Sequence, residues 1–416
     1  MNSEDMRCDS HCQICQSDDI VTVLKLADTP PEDQFVSKDR FDVAQPCFPL
    51  EQALCQNCGY VFLPHILSPK ISYQTYTYET SVTLGLTNQY QSYADDVLEN
   101  HAPAEDLLVV DLGSNDGTML RAFKRDGVKV LGVEPASQIA QKANGSGIPT
   151  INDFFSRSTC KQIIEDHGKA SVVTANYMFA NIDGLLAFTE NVANLLCDDG
   201  VFVVLTGYHP EQMKINMFDY IYHEHFSYFT VAVLNTLFEK SGLELIDAIA
   251  LQAKGGSIRV TAQKKGQKRQ ASSRLLDILK EEYNQKMHDA ETYFMYSKNI
   301  NKLREECRKL CKELKDSGAR IIGYGASHST TTLVYHFGLA EFLEYQIDDN
   351  PVKQGMYSPG HHIPVFSTDK LYQDKPEVVI VLAWNYAKPI IDKHTQFIQR
   401  GGRFILPLPA LELVGL

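Results

Sequence analysis

Short apolar runs recur along the chain, each closed by a glycine-rich or acidic turn and followed by a stretch of helical period. Leu107-Leu-Val-Val runs into Asp111-Leu-Gly-Ser-Asn-Asp-Gly117, and Thr118 to Arg125 then reads as a helix. A buried apolar strand, a glycine-rich turn and a helix form the first unit of a doubly wound sheet. The alternation continues. Lys129 to Val133 predicts a second strand ending at Glu134-Pro135, Ile148 to Asn152 a third, and Ala170 to Ala175 a fourth ending at Asn176. An amphipathic helix over Leu185 to Leu196 and the turn Asp198-Asp199-Gly200 precede a fifth strand, Gly200 to Thr206. Lys254 to Val260 reads as a turn and a final strand, and residues 84 to 100 as the helix that leads into this unit. Ser273 to Lys315 carries leucines at helical spacing and predicts one or two connecting helices. The strand–turn–helix pattern then restarts at Ala319-Arg-Ile-Ile-Gly-Tyr-Gly-Ala326, with a helix over Thr330 to Phe337 and strands at Tyr345 to Asp348, Glu377 to Leu382 and Gly402 to Leu406. The fold class is therefore α/β.

Ahead of these units the pattern is different. Cys12-x-x-Cys15 and Cys55-x-x-Cys58 flank a stretch with Pro30, Pro31, Pro46 and Pro49, which reads as short strands and turns. Two such pairs offer four thiolates to a tetrahedral ion, and a four-thiolate shell is closed, so the expected zinc is structural. Cys8 and Cys47 are the competing ligands. Composition adds exclusions. With 416 residues, 44% hydrophobic and 22% charged, the chain has room for two or three domains. A net charge of -13 argues against a nucleic-acid partner. No apolar run approaches the ~20 residues of a membrane span. The polar, acidic start carries no secretory signal, so the chain reads as cytoplasmic, where thiols stay reduced.

Candidate chemistry lies at the strand ends. The turn from Asp111 to Gly117 is not the dinucleotide pattern G-x-G-x-x-G, but with Glu134 about twenty residues on it suits a nucleoside, the carboxylate facing the ribose diol. Asp153-Phe154-Phe155 could edge and stack an adenine. Tyr220 to Phe229 packs two histidines, a carboxylate and three tyrosines into ten residues just after the fifth strand. Read as extended, it sets His223 and His225 on one face and Tyr222 and Glu224 on the other, a cluster able to move a proton. Tyr73, Tyr76 and Tyr78 could line a pocket or pack between domains. Gly323 to Ser329 could cradle a phosphate at a helix N-terminus, with Lys353 as a cation. The basic run Lys264 to Arg269 reads as an exposed loop.

Taken together, the CxxC pairs, Asp-Leu-Gly-Ser-Asn-Asp-Gly, Tyr-His-Glu-His-Phe-Ser-Tyr-Phe, Gly-Gly-Ser-Ile-Arg and Gly-Tyr-Gly-Ala with Asp-Asp-Asn-Pro resemble the nucleotide-sugar C-methyltransferases over nearly the whole chain. The resemblance implies a zinc-binding domain (1–70), an S-adenosylmethionine-dependent, Rossmann-like methyltransferase domain (71–262), a helical linker (263–300) and a C-terminal Rossmann-like substrate domain (301–416). It implies methylation of the carbon beside a ketone, C3 of a thymidine-diphosphate-linked 4-keto-6-deoxyhexose, through an enolate made by His225 with Tyr222, Glu224 and Tyr76. Asp111, Gly113, Asn115, Asp116, Gly117, Glu134, Pro135, Phe154 and Asn176 would hold the cofactor. Tyr78, Asn181, His223, Lys254, Tyr324, Ser327, His328 and Lys353 would face the substrate. Cys12, Cys15, Cys55 and Cys58 would hold the zinc. The only partner expected is the small-molecule substrate, in a monomer or weak dimer. The sequence departs from the family pattern at Asn181, Lys254, Ser327 to Ser329 and Thr206 to Lys214, which leaves an O- or N-methyltransferase on a nucleotide-linked sugar or another small molecule as the alternative. A hydrolase using His209, His223, Glu224 and His225, or a binding module on an inactive fold, would not need the intact Asp111–Gly117 turn and Glu134.

Overall fold

A computed structural model describes residues 6–68, 86–102 and 107–415, with side chains from residue 89 in the second span. Tyr73, Tyr76 and Tyr78 lie outside the described residues. The chain begins with β1 (Met6–Cys8), β2 (Ile20–Lys25), β3 (Glu51–Cys55), β4 (Val61–Phe62) and β5 (His65–Leu67). β1 pairs with β5, while β2, β3 and β4 form an antiparallel meander.

The first α/β unit follows: β6 (Leu107–Leu112), β7 (Val128–Val133), β8 (Thr150–Ile151), β9 (Ala170–Asn176) and β10 (Leu196–Gly207). β11 (Ser227–Tyr228) leaves this unit and joins the edge of the N-terminal sheet beside β4. β12 (Leu243–Leu251) and β13 (Ser257–Lys264) return to complete seven strands in the order β12-β13-β10-β9-β6-β7-β8. β6 to β10 run parallel and β13 is antiparallel to β10. Val109, Val110 and Leu112 of β6 are fully buried, as a strand covered on both faces requires. The fifth strand starts earlier than its pattern suggested: Leu196 already pairs with Ala170, and the Asp198-Asp199-Gly200 turn is taken up as an irregularity in β10 before Val201.

Helices Ser273–Asn284 and Ala290–Asp316 lead to the second unit. Its strands are β14 (Ile321–Tyr324), β15 (Leu343–Ile347), β16 (Val365–Phe366), β17 (Val378–Val381), β18 (Arg403–Leu406) and β19 (Glu412–Val414). Their order is β16-β15-β14-β17-β18-β19, with only β19 antiparallel. In both sheets the strand order reverses beside the first strand, between β6 and β9 and between β14 and β17. Crevices form at such switch points, outside the strands' carboxyl ends. The expected α/β architecture with a small cysteine-bearing N-terminal module is the one observed. Among the described residues no helix is long and apolar enough to cross a membrane.

Candidate active site

The four cysteines of the two CxxC pairs converge. The sulfurs of Cys12, Cys15, Cys55 and Cys58 all lie within 4.8 Å of one another. Cys12 Sγ is 3.6 Å from Cys58 Sγ, and Cys15 Sγ is 3.5 Å from Cys55 Sγ. A tetrahedral ion with Zn–S bonds of about 2.3 Å spaces its sulfurs about 3.8 Å apart, so the cluster fits zinc. Backbone N–H groups of Ile14 and Cys15 point at Cys12 Sγ, as a thiolate needs. Cys8 and Cys47 are exposed and outside the cluster.

At the carboxyl ends of β6 and β7 lies a cavity of about 970 Å³. Gly113, Asn115, Glu134, Pro135, Phe154 and Asn176 line it. Gly113 takes φ +67°, and a Cβ there would come within 2.9 Å of Met178 Cγ, so only glycine leaves this wall undistorted. The two oxygens of Glu134 accept N–H groups from Asn115 (2.9 Å) and Ala136 (2.8 Å), which aims the carboxylate and leaves lone pairs for a diol. Burial pushes the Glu134 carboxyl up and those two N–H groups pull it back. Phe154 is 63% exposed at the rim, where its ring is open to a flat ligand. A nucleoside with an amino-acid tail fits these donors and acceptors. Three of the expected cofactor residues stand behind the wall instead. Asp111 is buried, pushed by that burial up to about 7, and accepts from Thr174 (2.6 Å) and Asn176 (3.1 Å). Asp116 accepts the N–H and the hydroxyl of Thr118 at the start of the next helix, and a Cβ on Gly117 would come within 3.0 Å of Ile148.

A second cavity, of about 640 Å³, opens between the two α/β units. Tyr222, Glu224 and His225 line one side, and Tyr324, Ser327 and His328 the other. Asn181 and Lys254 lie in the walls of both cavities. His225 Nδ1 is 3.1 Å from the carbonyl oxygen of Tyr220. A carbonyl only accepts, so the proton sits on Nδ1 and Nε2 keeps its lone pair, 3.0 Å from the Tyr222 hydroxyl. Burial lowers the imidazole to about 4, so it is neutral near pH 7. Burial, with the charges of Glu32 and Asp33, raises the Glu224 carboxyl to about 8.

The expected extended geometry of this stretch is corrected by the structure. His225 N–H closes a turn on the Tyr222 carbonyl (2.9 Å), so His223 and His225 do not share a face. His223 points away from the cavity into the core, 3.6 Å from Glu32 of the N-terminal module. Glu32 also accepts the backbone N–H of Glu224 (3.0 Å), so it holds the turn from behind. Lys353 is likewise turned from the cavity: its ammonium pairs with Asp33 at 2.5 Å. Tyr76 and Tyr78 fall outside the described residues. The sequence reading missed Glu32 and Asp33, because nothing local to a proline-rich stretch announces partners on the far side of the chain. It also missed Asp219 and Trp384 in the second cavity. Trp384 Nε1 donates to Asp219 (2.9 Å), whose carboxyl burial raises to about 7. That this is the chain's single tryptophan was the available signal.

The likeness to known families and to one relative follows the same order of domains. Family models match in succession: a zinc binding domain over residues 12–73, a methyltransferase domain over 86–248 and a C-methyltransferase C-terminal domain over 252–409. The C-methyltransferase NovU of Streptomyces niveus is 32% identical over 399 residues, covering 96% of this chain and 95% of that protein. Among solved structures, an S-adenosylmethionine-dependent methyltransferase from Clostridium acetobutylicum matches 43% of this chain and 92% of its own, at 11% identity and a TM-score of 0.34. Magnesium protoporphyrin IX methyltransferase from Synechocystis matches 46% of this chain and 90% of its own, at 13% identity and a TM-score of 0.35. The three consecutive domains and the near full-length likeness place the chain in one family: it belongs to the S-adenosylmethionine-dependent C-methyltransferases that carry an N-terminal zinc-binding domain.

Proposed function

We propose that this enzyme methylates the carbon next to a ketone on a nucleotide-linked sugar, a 4-keto-6-deoxyhexose on thymidine diphosphate, at C3. One observation carries the reading. His225 is neutral, its proton is held on Nδ1 by the Tyr220 carbonyl, and its Nε2 belongs to a cavity that shares a wall with the cofactor cavity. A sugar C–H is no nucleophile. A base beside a ketone makes it one, because the electron pair left on carbon is shared with the carbonyl oxygen.

S-adenosylmethionine, when bound, supplies an electrophilic methyl group. Glu134 would take the ribose hydroxyls, Asn115 and the bare backbone at Gly113 would admit the rest of the nucleoside and its tail, and Phe154 would cover the adenine. On the substrate side His225 Nε2 accepts the proton from carbon. Tyr222 holds the lone pair until the substrate displaces its hydroxyl. Glu224, protonated near neutral pH, is a hydrogen-bond donor to the sugar. Asn181 faces the sugar from the shared wall, and Tyr324, Ser327 and His328 receive the nucleotide part from the opposite side. Bringing the two reacting carbons to ~3–3.5 Å is the task of the shared wall.

Incubation with thymidine diphosphate 4-keto-6-deoxyglucose and ¹³C-methyl-labelled S-adenosylmethionine tests the reading. A labelled methyl bonded to sugar carbon is expected. A methyl on oxygen, or no transfer to any nucleotide-linked keto sugar, would contradict it.

A further inference from the structure

The wall shared by the two cavities holds two residues in a conformation that side chains rarely adopt. Tyr177 has φ +54° and Lys254 has φ +50°, ψ +40°, both left-handed. Neither is glycine, asparagine or aspartate, and such strain concentrates where geometry is over-determined for function. The two side chains meet. Lys254 Nζ lies 3.9 Å from the centre of the Tyr177 ring, a cation–π distance.

Each partner is anchored. The Tyr177 N–H donates to Leu205 of β10 (2.7 Å), and its hydroxyl is 3.2 Å from Ser257 Oγ, which donates to the Ala253 carbonyl (2.8 Å). Gly256 N–H closes the turn on the same carbonyl (3.0 Å). Gly255 at φ +75° has no room for a Cβ, which would fall 2.1 Å from Met217 Sδ. The turn therefore presents Lys254 inward with little freedom.

We propose that the Lys254 ammonium is the cationic partner of the substrate oxygen on which negative charge develops when His225 takes the proton. The assignment rests on the base role proposed for His225. It gives that role its missing half, since a base that leaves a pair on carbon needs a counter-charge at the oxygen. Lys254 and His225 line the same cavity, and the lysine's charge reaches the imidazole, adding to burial in keeping it unprotonated. Burial lowers the Lys254 amine to about 8, so it is mostly protonated at neutral pH yet poorly solvated. In the step itself the C–H bond breaks and its proton goes to His225 Nε2. The pair forms the carbon–carbon double bond while the carbonyl pair moves to oxygen, facing the ammonium. The double-bond pair then attacks the methyl carbon, whose bond to sulfur breaks with its pair left on sulfur; the oxygen pair re-forms the carbonyl, and Lys254 keeps its proton throughout.

The test uses the full-length zinc-loaded protein, with Lys254→Met and Lys254→Arg. Without cofactor, wild type is mixed with thymidine diphosphate 4-keto-6-deoxyglucose in deuterium oxide and exchange at C3 is followed. Lys254→Met should slow exchange about 10²–10³-fold, the usual effect of one lost oxyanion donor. Lys254→Arg should keep part of the rate. Exchange at the wild-type rate in Lys254→Met would overturn the assignment. A second arm needs no turnover: competitive ¹³C-methylation, with Lys254→Met identifying the resonance, reads the amine. Titration near 8 is expected, and titration at the ordinary ~10.4 would overturn the assignment. A wild type that neither exchanges nor methylates the sugar overturns the substrate reading instead, and the amine titration still decides the placement of Lys254.

Discussion

The Tyr222 hydroxyl lies 3.0 Å from Nε2 of His225, and the two rings stack with centroids 4.0 Å apart. The Tyr220 carbonyl fixes the proton on Nδ1, and the Tyr222 hydroxyl then donates to the lone pair on Nε2. Tyr222→Phe removes only this second hydrogen bond. The loss of one net hydrogen bond, ~0.5–1.5 kcal/mol, corresponds to about a 2- to 13-fold fall in kcat. A fall as deep as that of a histidine deletion would make Tyr222 itself the group that takes the proton.

The cysteine cluster is expected to hold about one zinc per chain, read by elemental analysis of protein purified without chelators. Cys12→Ser should lose the metal and lower the melting temperature, because binding free energy at such a site is folding free energy. The effect reaches the active site indirectly, since Glu32 from the same module holds the Tyr222–His225 turn. Metal-free protein that melts like wild type would remove zinc from the account.

Glu134→Ala should weaken S-adenosylhomocysteine binding by ~1–3 kcal/mol, about 5- to 150-fold, as measured by calorimetry. The variant removes the diol acceptor and also frees the N–H groups of Asn115 and Ala136. Gly113→Ala should weaken binding as well, because its Cβ would press on Met178 at a positive φ. Unchanged affinity in both would move the cofactor elsewhere.

Much of this architecture is legible locally. The apolar runs before Asp111 and Glu134, the restart at Ile321, and the CxxC spacing are each set by neighbouring residues, and the α/β fold follows from them. What lies hidden depends on contacts between distant stretches. His223 sits beside His225 in sequence, yet Glu32 draws it to the opposite side of the backbone. Lys353 follows an acidic strand end that suits a ligand-facing cation, yet Asp33 takes it. The left-handed turns at Tyr177 and Lys254 carry no glycine signal at those two positions.

Acid stability offers a check on the buried histidines. His209 is packed among Tyr228, Tyr293 and Tyr296, and burial lowers it to about 3. A histidine with a depressed folded pKa contributes stability above its unfolded value, ~6.5, and loses it as pH falls toward the folded value. Asp111, Asp219 and Glu224, raised by burial, act in the opposite sense. The difference between wild type and His209→Phe isolates the histidine. Urea unfolding from pH 6.5 to 4 should show a shallower loss in the variant, by up to ~1.4 kcal/mol per pH unit. Parallel pH profiles would mean that His209 is protonated in the folded state.

The central claim is that His225 takes the proton from carbon, and solvent exchange isolates that step from methyl transfer. Wild type and His225→Ala are incubated without cofactor in deuterium oxide with thymidine diphosphate 4-keto-6-deoxyglucose, and deuterium at C3 is followed by NMR. The expected result is exchange in wild type and a fall of ~10²–10⁴-fold in His225→Ala, with S-adenosylhomocysteine affinity unchanged. Exchange at the wild-type rate in His225→Ala would contradict the account.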